Sequence, residues 1–162
     1  NSAAYKGLHA LLMRDGCQDF RTGDPIEVQQ YFDDRIDIHH IFPQDWCKHH
    51  GIGARRCDCI VNKTPLAART NRIISNNAPS IYVQRLQRST DSDDARFDQI
   101  LESHLIDPLA VRLDYFDDFF VAREQALLHR IEQAMGKPIA RGMMVVDNNE
   151  DSTYDEEPVS DL

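Results

Sequence analysis

The sequence predicts an α+β fold, a short pair of strands embedded in a mostly helical domain. Three observations point there. Apolar residues recur at helical spacing in several segments. One short β-branched run, Ile36-Asp37-Ile38-His39-His40-Ile41-Phe42-Pro43, is closed by proline and reads as a strand. The chain has 162 residues, 41% of them hydrophobic, which supplies one ordinary core with residues to spare for a tail.

Residues 3–15 predict a helix, with Ala4, Leu8, Leu11 and Leu12 at helical spacing and Gly16 placed to end it. Asp24-Pro25 is a helix start by composition, leading into a short helix with Ile26, Val28 and Phe32. After the strand, a short helix carries Trp46 and stops near Gly51, and residues 51–58 read as a glycine- and arginine-rich loop. A second strand is expected over 59–61 and a helix over 66–75. Pro79 starts another helix with Ile81, Tyr82 and Leu86. Residues 93–105 form an amphipathic helix with Phe97, Ile100, Leu101, His104 and Leu105 on one face, which makes His104 a core histidine. The longest helix spans 117–135, striped by Leu127, Leu128, Ile131, Ala134 and Met135 and closed by Gly136 and Pro138. The chain thus divides into a helical lead-in (1–35), a central unit (36–83), C-terminal helices packing on that unit (84–138) and an acidic tail expected to be flexible (139–162).

The net charge of −9 counts against a polyanionic partner until its distribution is read. Between Lys48 and Arg88 stand eight basic residues (Lys48, Arg55, Arg56, Lys63, Arg69, Arg72, Arg85 and Arg88) against one acid, Asp58. The last sixteen residues carry seven acids and no Lys or Arg. A local basic patch is the electrostatic footprint that nucleic acid requires, although such residues also simply solvate helix faces. Apolar runs reach about four residues, as in Met143-Met144-Val145-Val146, far short of the roughly 18 of a membrane span. No basic stretch followed by an apolar run opens the chain, and four unevenly spaced cysteines do not make a disulfide framework, so the expected compartment is the reducing cytoplasm. Starting at Asn1 rather than Met, the chain is expected to be part of a longer protein.

The chemistry gathers at His39, His40, Asn62 and Asn71. Imidazole and carboxamide are neutral ligands, suited to a divalent cation that also binds water and phosphate oxygens. A second imidazole nearby can take a proton from an attacking water. In a regular strand, however, His39 shares a side with Asp37 while His40 shares one with Ile36, Ile38 and Phe42, so both serve one site only if the strand ends or twists there.

Four pieces in order carry a resemblance: His39-His40-Ile41-Phe42-Pro43, Val61-Asn62-Lys63-Thr64-Pro65-Leu66, Thr70-Asn71-Arg72 and Ala78-Pro79-Ser80. Together they resemble the HNH nuclease superfamily with its ββα-metal core, and look most like the C-terminal HNH domain of GmrSD-type restriction and phage-defence proteins. The likeness spans residues 39–83, is looser beyond Arg88, and extends weakly to the lead-in. It implies a metal-dependent endonuclease that nicks DNA, with His40 as general base, Asn62 bracing the base's loop, and His39 and Asn71 as metal ligands. The last of these replaces the histidine that closes the superfamily's name. It also implies magnesium, with manganese able to substitute, DNA contacts from Lys63, Arg69 and Arg72, and an N-terminal NTP-hydrolysing, DNA-sensing domain in the full-length protein.

Blander readings stand beside these. His39 and His40 could be a hydrogen-bonded pair at a strand end, Asn62 a turn residue and Asn71 a solvent-facing one. The scaffold could serve as a non-catalytic DNA-binding or interaction module. Cys47, His49, His50, Cys57 and Cys59 offer zinc-type ligands, but the Cys57–Cys59 gap is tight and no second pair follows, so a structural zinc is not expected. Cys59 is instead expected in the core and Cys57 in a loop, and His9 and His129 have no partners by spacing. Phe116, Phe119 and Phe120 are expected to be core.

Overall fold

A computed structural model describes residues 3–32, 36–90 and 92–139, and the fold is α+β: one two-stranded sheet among nine helices in these residues. Most of the acidic tail, residues 140–162, lies outside the described residues.

Helix α1 (Ala3–Arg14) ends as expected at Gly16, whose φ of 86° is the left-handed conformation that relieves a helix C-terminus. The helix expected from Asp24-Pro25 starts later, as α2 (Val28–Phe32). A buried carboxylate overrides the local start signal. Asp19 accepts hydrogen bonds from the Arg21 and Thr22 amides at 3.0 and 3.2 Å, its own amide donates to Asp24 O at 2.9 Å, and Pro25 bridges to Gln18.

Strand β1 (Ile36–His40) pairs antiparallel with β2 (Lys63–Ala67), placing Ile36 opposite Ala67, His39 opposite Thr64 and His40 opposite Lys63. Ladder pairing stops at His40, and Ile41 and Phe42 turn into the core. Helix α3 (Gln44–His49) follows Pro43 as expected. Two expectations fail next. Residues 51–58 contain a helical turn, α4 (Ala54–Cys57), and the expected strand at 59–61 is occupied by a 3-10 turn (Ile60–Asn62), with the strand itself displaced to 63–67. The cysteines exchange roles accordingly: Cys57 is buried and Cys59 partly exposed.

Helix α5 (Ala68–Ile74) packs on both strands and completes a β-β-α unit. Beyond it run α6 (Pro79–Thr90), α7 (Asp94–Glu102), α8 (Pro108–Arg112) and α9 (Phe116–Met135). Asp93 caps α7 by accepting from the Arg96 amide at 2.7 Å, and Gly136, with φ of 66°, closes α9. The short α8 has no counterpart in the sequence reading. Phe116 and Phe119 are buried and Phe120 packs against them, as expected, whereas Ala134 and Met135 at the end of the α9 stripe are exposed.

Two apolar clusters flank the sheet. The larger joins Phe42 and Leu66 to α5–α9, and the smaller joins α1, Cys17, Ile26, Ile36 and Val61 to Leu127 of α9. No helix among the described residues is long and apolar enough to cross a membrane.

Candidate active site

The end of β1 sets the site. Along a strand, side chains alternate between faces, so Asp37 and His39 share one face and His40 leaves on the other. Helix α5 covers the first face. Its Asn71 donates Nδ2–H to Asp37 Oδ2 at 3.0 Å. That bond leaves the Oδ1 oxygens of both side chains out of it.

His39 completes this face. Its Nε2 is buried and has no hydrogen-bond partner among the described residues. The cross-strand neighbour Thr64 does not supply one, because its hydroxyl lies 2.6 Å from His104 Nδ1. His104 Nε2 in turn lies 2.7 Å from Gln18 O and must donate there, so Nδ1 accepts from Thr64. His104 is the core histidine its spacing predicts, fully buried and edge-on to Phe20. Desolvation, with a smaller effect of His40, lowers the pKa of His39 to about 4, so the ring is neutral at pH 7. An orphaned neutral imidazole nitrogen, a carboxylate and a carboxamide oxygen make a donor set that fits a hard divalent cation. Asp37, His39 and Asn71 are the residues that could hold it.

His40 is held differently. Its Nε2 lies 2.9 Å from Asp58 Oδ1, an oxygen that also accepts from Gln44 Nε2 at 2.9 Å and lies 4.0 Å from Lys63 Nζ. Since a carboxylate only accepts, Nε2 carries the proton and the lone pair falls on Nδ1. The hydrogen bonds from Gln44 and His40 keep the Asp58 carboxyl below its ordinary pKa.

Asn62 is fully buried and spends its carboxamide on the backbone. Oδ1 accepts from the Phe42 amide, and Nδ2 donates to the Phe42 and Cys57 carbonyls, each at 2.9 Å. It thereby ties the chain just after His40 to the end of α4, where Asp58 sits.

Two supporting residues escaped the sequence reading. Buried Asp19 also accepts from the Ala67 amide at 2.9 Å and the Thr70 hydroxyl at 2.7 Å, fixing the junction of β2 and α5. Arg123 of α9 is buried and donates to the carbonyls of Val61, Lys63 and His104, which clamps the turn carrying Asn62 to the start of β2. Asp37 itself was visible as the residue sharing a side with His39.

Of the expected DNA contacts, Arg69 and Arg72 are exposed on α5 with no ion pair among the described residues, as are Arg85 and Arg88, the last of the basic segment, on α6. Lys63 is half-buried between Asp58 and the Tyr5 ring. Arg56 is spent on Asp117 at 2.7 Å and on the faces of Phe116 and Phe120. His49 and His50 turn their Nδ1 atoms to the carbonyls of Asp45 and Trp46 on their own helix.

No protein-family model matches this chain, and no solved structure matches it. The chain is similar to an uncharacterized protein of Methanocaldococcus jannaschii, MJ0686, at 28% identity over 151 residues, covering 80% of this chain and 25% of that protein. The chain therefore spans about a quarter of the length of this relative.

Proposed function

We propose that the chain is a metal-dependent HNH endonuclease domain that nicks DNA, with His40 as general base. The observation that carries this reading is the strand end. Asp37, buried His39 and Asn71 gather on one face, and His40, which leaves on the other at the last ladder pair, is set by Asp58 into the tautomer a base needs, so the reading takes the scissile phosphate to straddle the open end of the strand.

In this mechanism Nδ1 of His40 takes a proton from water as the water attacks phosphorus. Asp58 then faces the imidazolium that results and stabilises it through the Nε2–H bond, as a carboxylate does behind a catalytic histidine. Asn62 keeps the strand end and the Asp58 turn in register. When bound by Asp37, His39 and Asn71, a magnesium or manganese ion supplies Lewis-acid stabilisation of charge on the phosphate and the leaving oxygen. Arg69 and Arg72, exposed on the same helix as Asn71, bind flanking phosphates.

The rest of the proposal concerns the whole protein. The length of the relative supports a chain that works within a larger protein. The sequence resemblance, not the relative, is what suggests a separate N-terminal NTP-hydrolysing, DNA-sensing domain and a restriction or phage-defence setting in the cytoplasm. The test is nicking of supercoiled plasmid with Mg²⁺ against EDTA. The His40→Ala protein should lose activity by about a hundredfold or more while keeping its circular dichroism and DNA affinity. Wild-type nicking by His40→Ala removes His40 as the base. Salt-sensitive DNA binding with no metal-dependent cleavage by the wild type selects a non-catalytic binding module instead.

A further inference from the structure

Behind His40 lies a donor group that shares His40 and Asp58 with the proposed reaction and adds a thiol, Cys57, that the reaction does not use. His40, Cys57 and Asp58 each bring one ligand atom to within 4.8 Å of the others. They come from two separate segments, the end of β1 and the end of α4. Buried hydrogen bonds from one carboxamide set their spacing, since Asn62 binds the backbone of both Phe42 and Cys57. The thiol of Cys57 is buried and that of Cys47 neighbours it. Both border an open cavity, shared with Gln44 and Asp58, through which an ion can enter. The His40, Gln44 and Lys63 contacts of Asp58 all fall on Oδ1, which leaves Oδ2 for another partner.

We propose that His40, Cys57 and Asp58 form a binding site for a thiophilic divalent cation, zinc above all, and that filling it switches His40 off as a base. The inhibitory half rests on the nuclease reading, whereas the binding half does not. Zinc takes sulfur, nitrogen and oxygen ligands tetrahedrally at about 2.0–2.3 Å, so three ligand atoms already this close need small shifts. Water supplies the fourth position. A thiolate and a carboxylate neutralise the ion, while magnesium, which demands oxygen ligands, is refused.

The proton balance gives the switch. In the free protein Nε2 of His40 carries the proton and Nδ1 the lone pair. An ion bound at Nε2 displaces that proton, and the neutral ring then carries its proton on Nδ1, where the attacking water would have delivered one. The Cys57 thiol proton leaves for solvent, so binding releases one proton net.

Metal-free protein is titrated with Co²⁺, following thiolate-to-cobalt charge-transfer absorption, and with Zn²⁺ by calorimetry in buffers of different ionisation enthalpy. One ion per chain, a charge-transfer band and about one proton released are expected. Cys57→Ser should abolish the band and weaken zinc by about tenfold or more, and the exposed Asp58→Asn should weaken it similarly. Circular dichroism of each variant confirms that it is folded. No band with the wild type, or unchanged zinc affinity in folded Cys57→Ser and Asp58→Asn, overturns the site. In Mg²⁺-dependent nicking, one equivalent of zinc should stop the wild type, and Cys57→Ser should nick through it. Zinc-loaded wild type that still nicks overturns the switch. Nicking absent throughout, with the cobalt band present, refutes the nuclease reading and leaves the metal site standing.

Discussion

Asn71 and Asp37 hold one another, and what each offers an ion follows from that contact. The Asn71 amide faces Asp37, so its carbonyl oxygen is the atom left to donate. Asp37 brings formal negative charge to a set whose other members, His39 and Asn71, are neutral, and it should dominate ion affinity. Asp37→Ala is therefore expected to raise the Mg²⁺ concentration for half-maximal nicking by about a hundredfold, and Asn71→Ala by about tenfold. Equal shifts would mean that Asp37 does not dominate ion affinity, and a fall in the plateau rate alone would mean that it serves the fold and not the ion. The role of Asp37 was within reach of parity along the strand, which places it beside His39. Asp58 was not, because no spacing rule links residue 58 to residue 40. Their 2.9 Å contact exists because α4 forms where a loop was expected and points its C-cap residue, Asp58, at the end of the strand.

The junctions of β2 bear the mechanical load of the site. Arg123 reaches from α9 to three carbonyls, at Val61, Lys63 and His104, two of which flank Asn62. Burial lowers its pKa to about 9, which still leaves it cationic at pH 7. Arg123→Met keeps volume but strands these carbonyls, each worth about 1–3 kcal/mol when unsatisfied. A loss of about 3 kcal/mol in urea unfolding is expected. Arg123→Lys should recover only part of it, because an ammonium lacks the planar fork. A loss below about 1 kcal/mol for Arg123→Met would show that water replaces the clamp. Sequence reasoning located α9 to within a residue, since its apolar stripe and closing glycine are strong signals. It could not flag Arg123, because an arginine on a long helix ordinarily faces solvent. The second strand was misplaced for a related reason. Lys63-Thr64-Pro65-Leu66-Ala67 carries a central proline, which argues against a strand inside a sheet. In a sheet of two strands every strand is an edge, and Pro65 can lack an N–H on its outward side without breaking the ladder opposite Ile38.

At the scale of the molecule, stability rests on histidines buried without charge. His9 sits on α1, edge-on to Tyr5, with neither ring nitrogen hydrogen-bonded among the described residues, and His104 is enclosed between Thr64 and Gln18. Desolvation, with Arg123 adding to it, lowers the pKa of His9 to about 4. Desolvation likewise takes His104 to about 3, against the hydrogen bond to Gln18 that favours its charged form. Between these values and the ordinary 6.5, the unfolded chain binds protons that the folded chain refuses. The contribution is thus whole above pH 6.5 and is lost as pH falls toward 4 and 3. By pH 4 each ring costs about 3 kcal/mol, a large share of a small domain's stability of roughly 5–15 kcal/mol. His39, lowered for the same cause, adds to the slope where no ion holds it. The melting temperature should therefore drop steeply between pH 6.5 and pH 4. Replacing His9 by phenylalanine removes one titrating ring while keeping an aromatic side chain against Tyr5. His9→Phe should match or exceed the wild type at pH 7 and lose less on acidification, so the two melting curves diverge as pH falls. Parallel curves would mean that the buried ring finds water or a partner on protonation, and that acid unfolds the protein through its carboxylates alone.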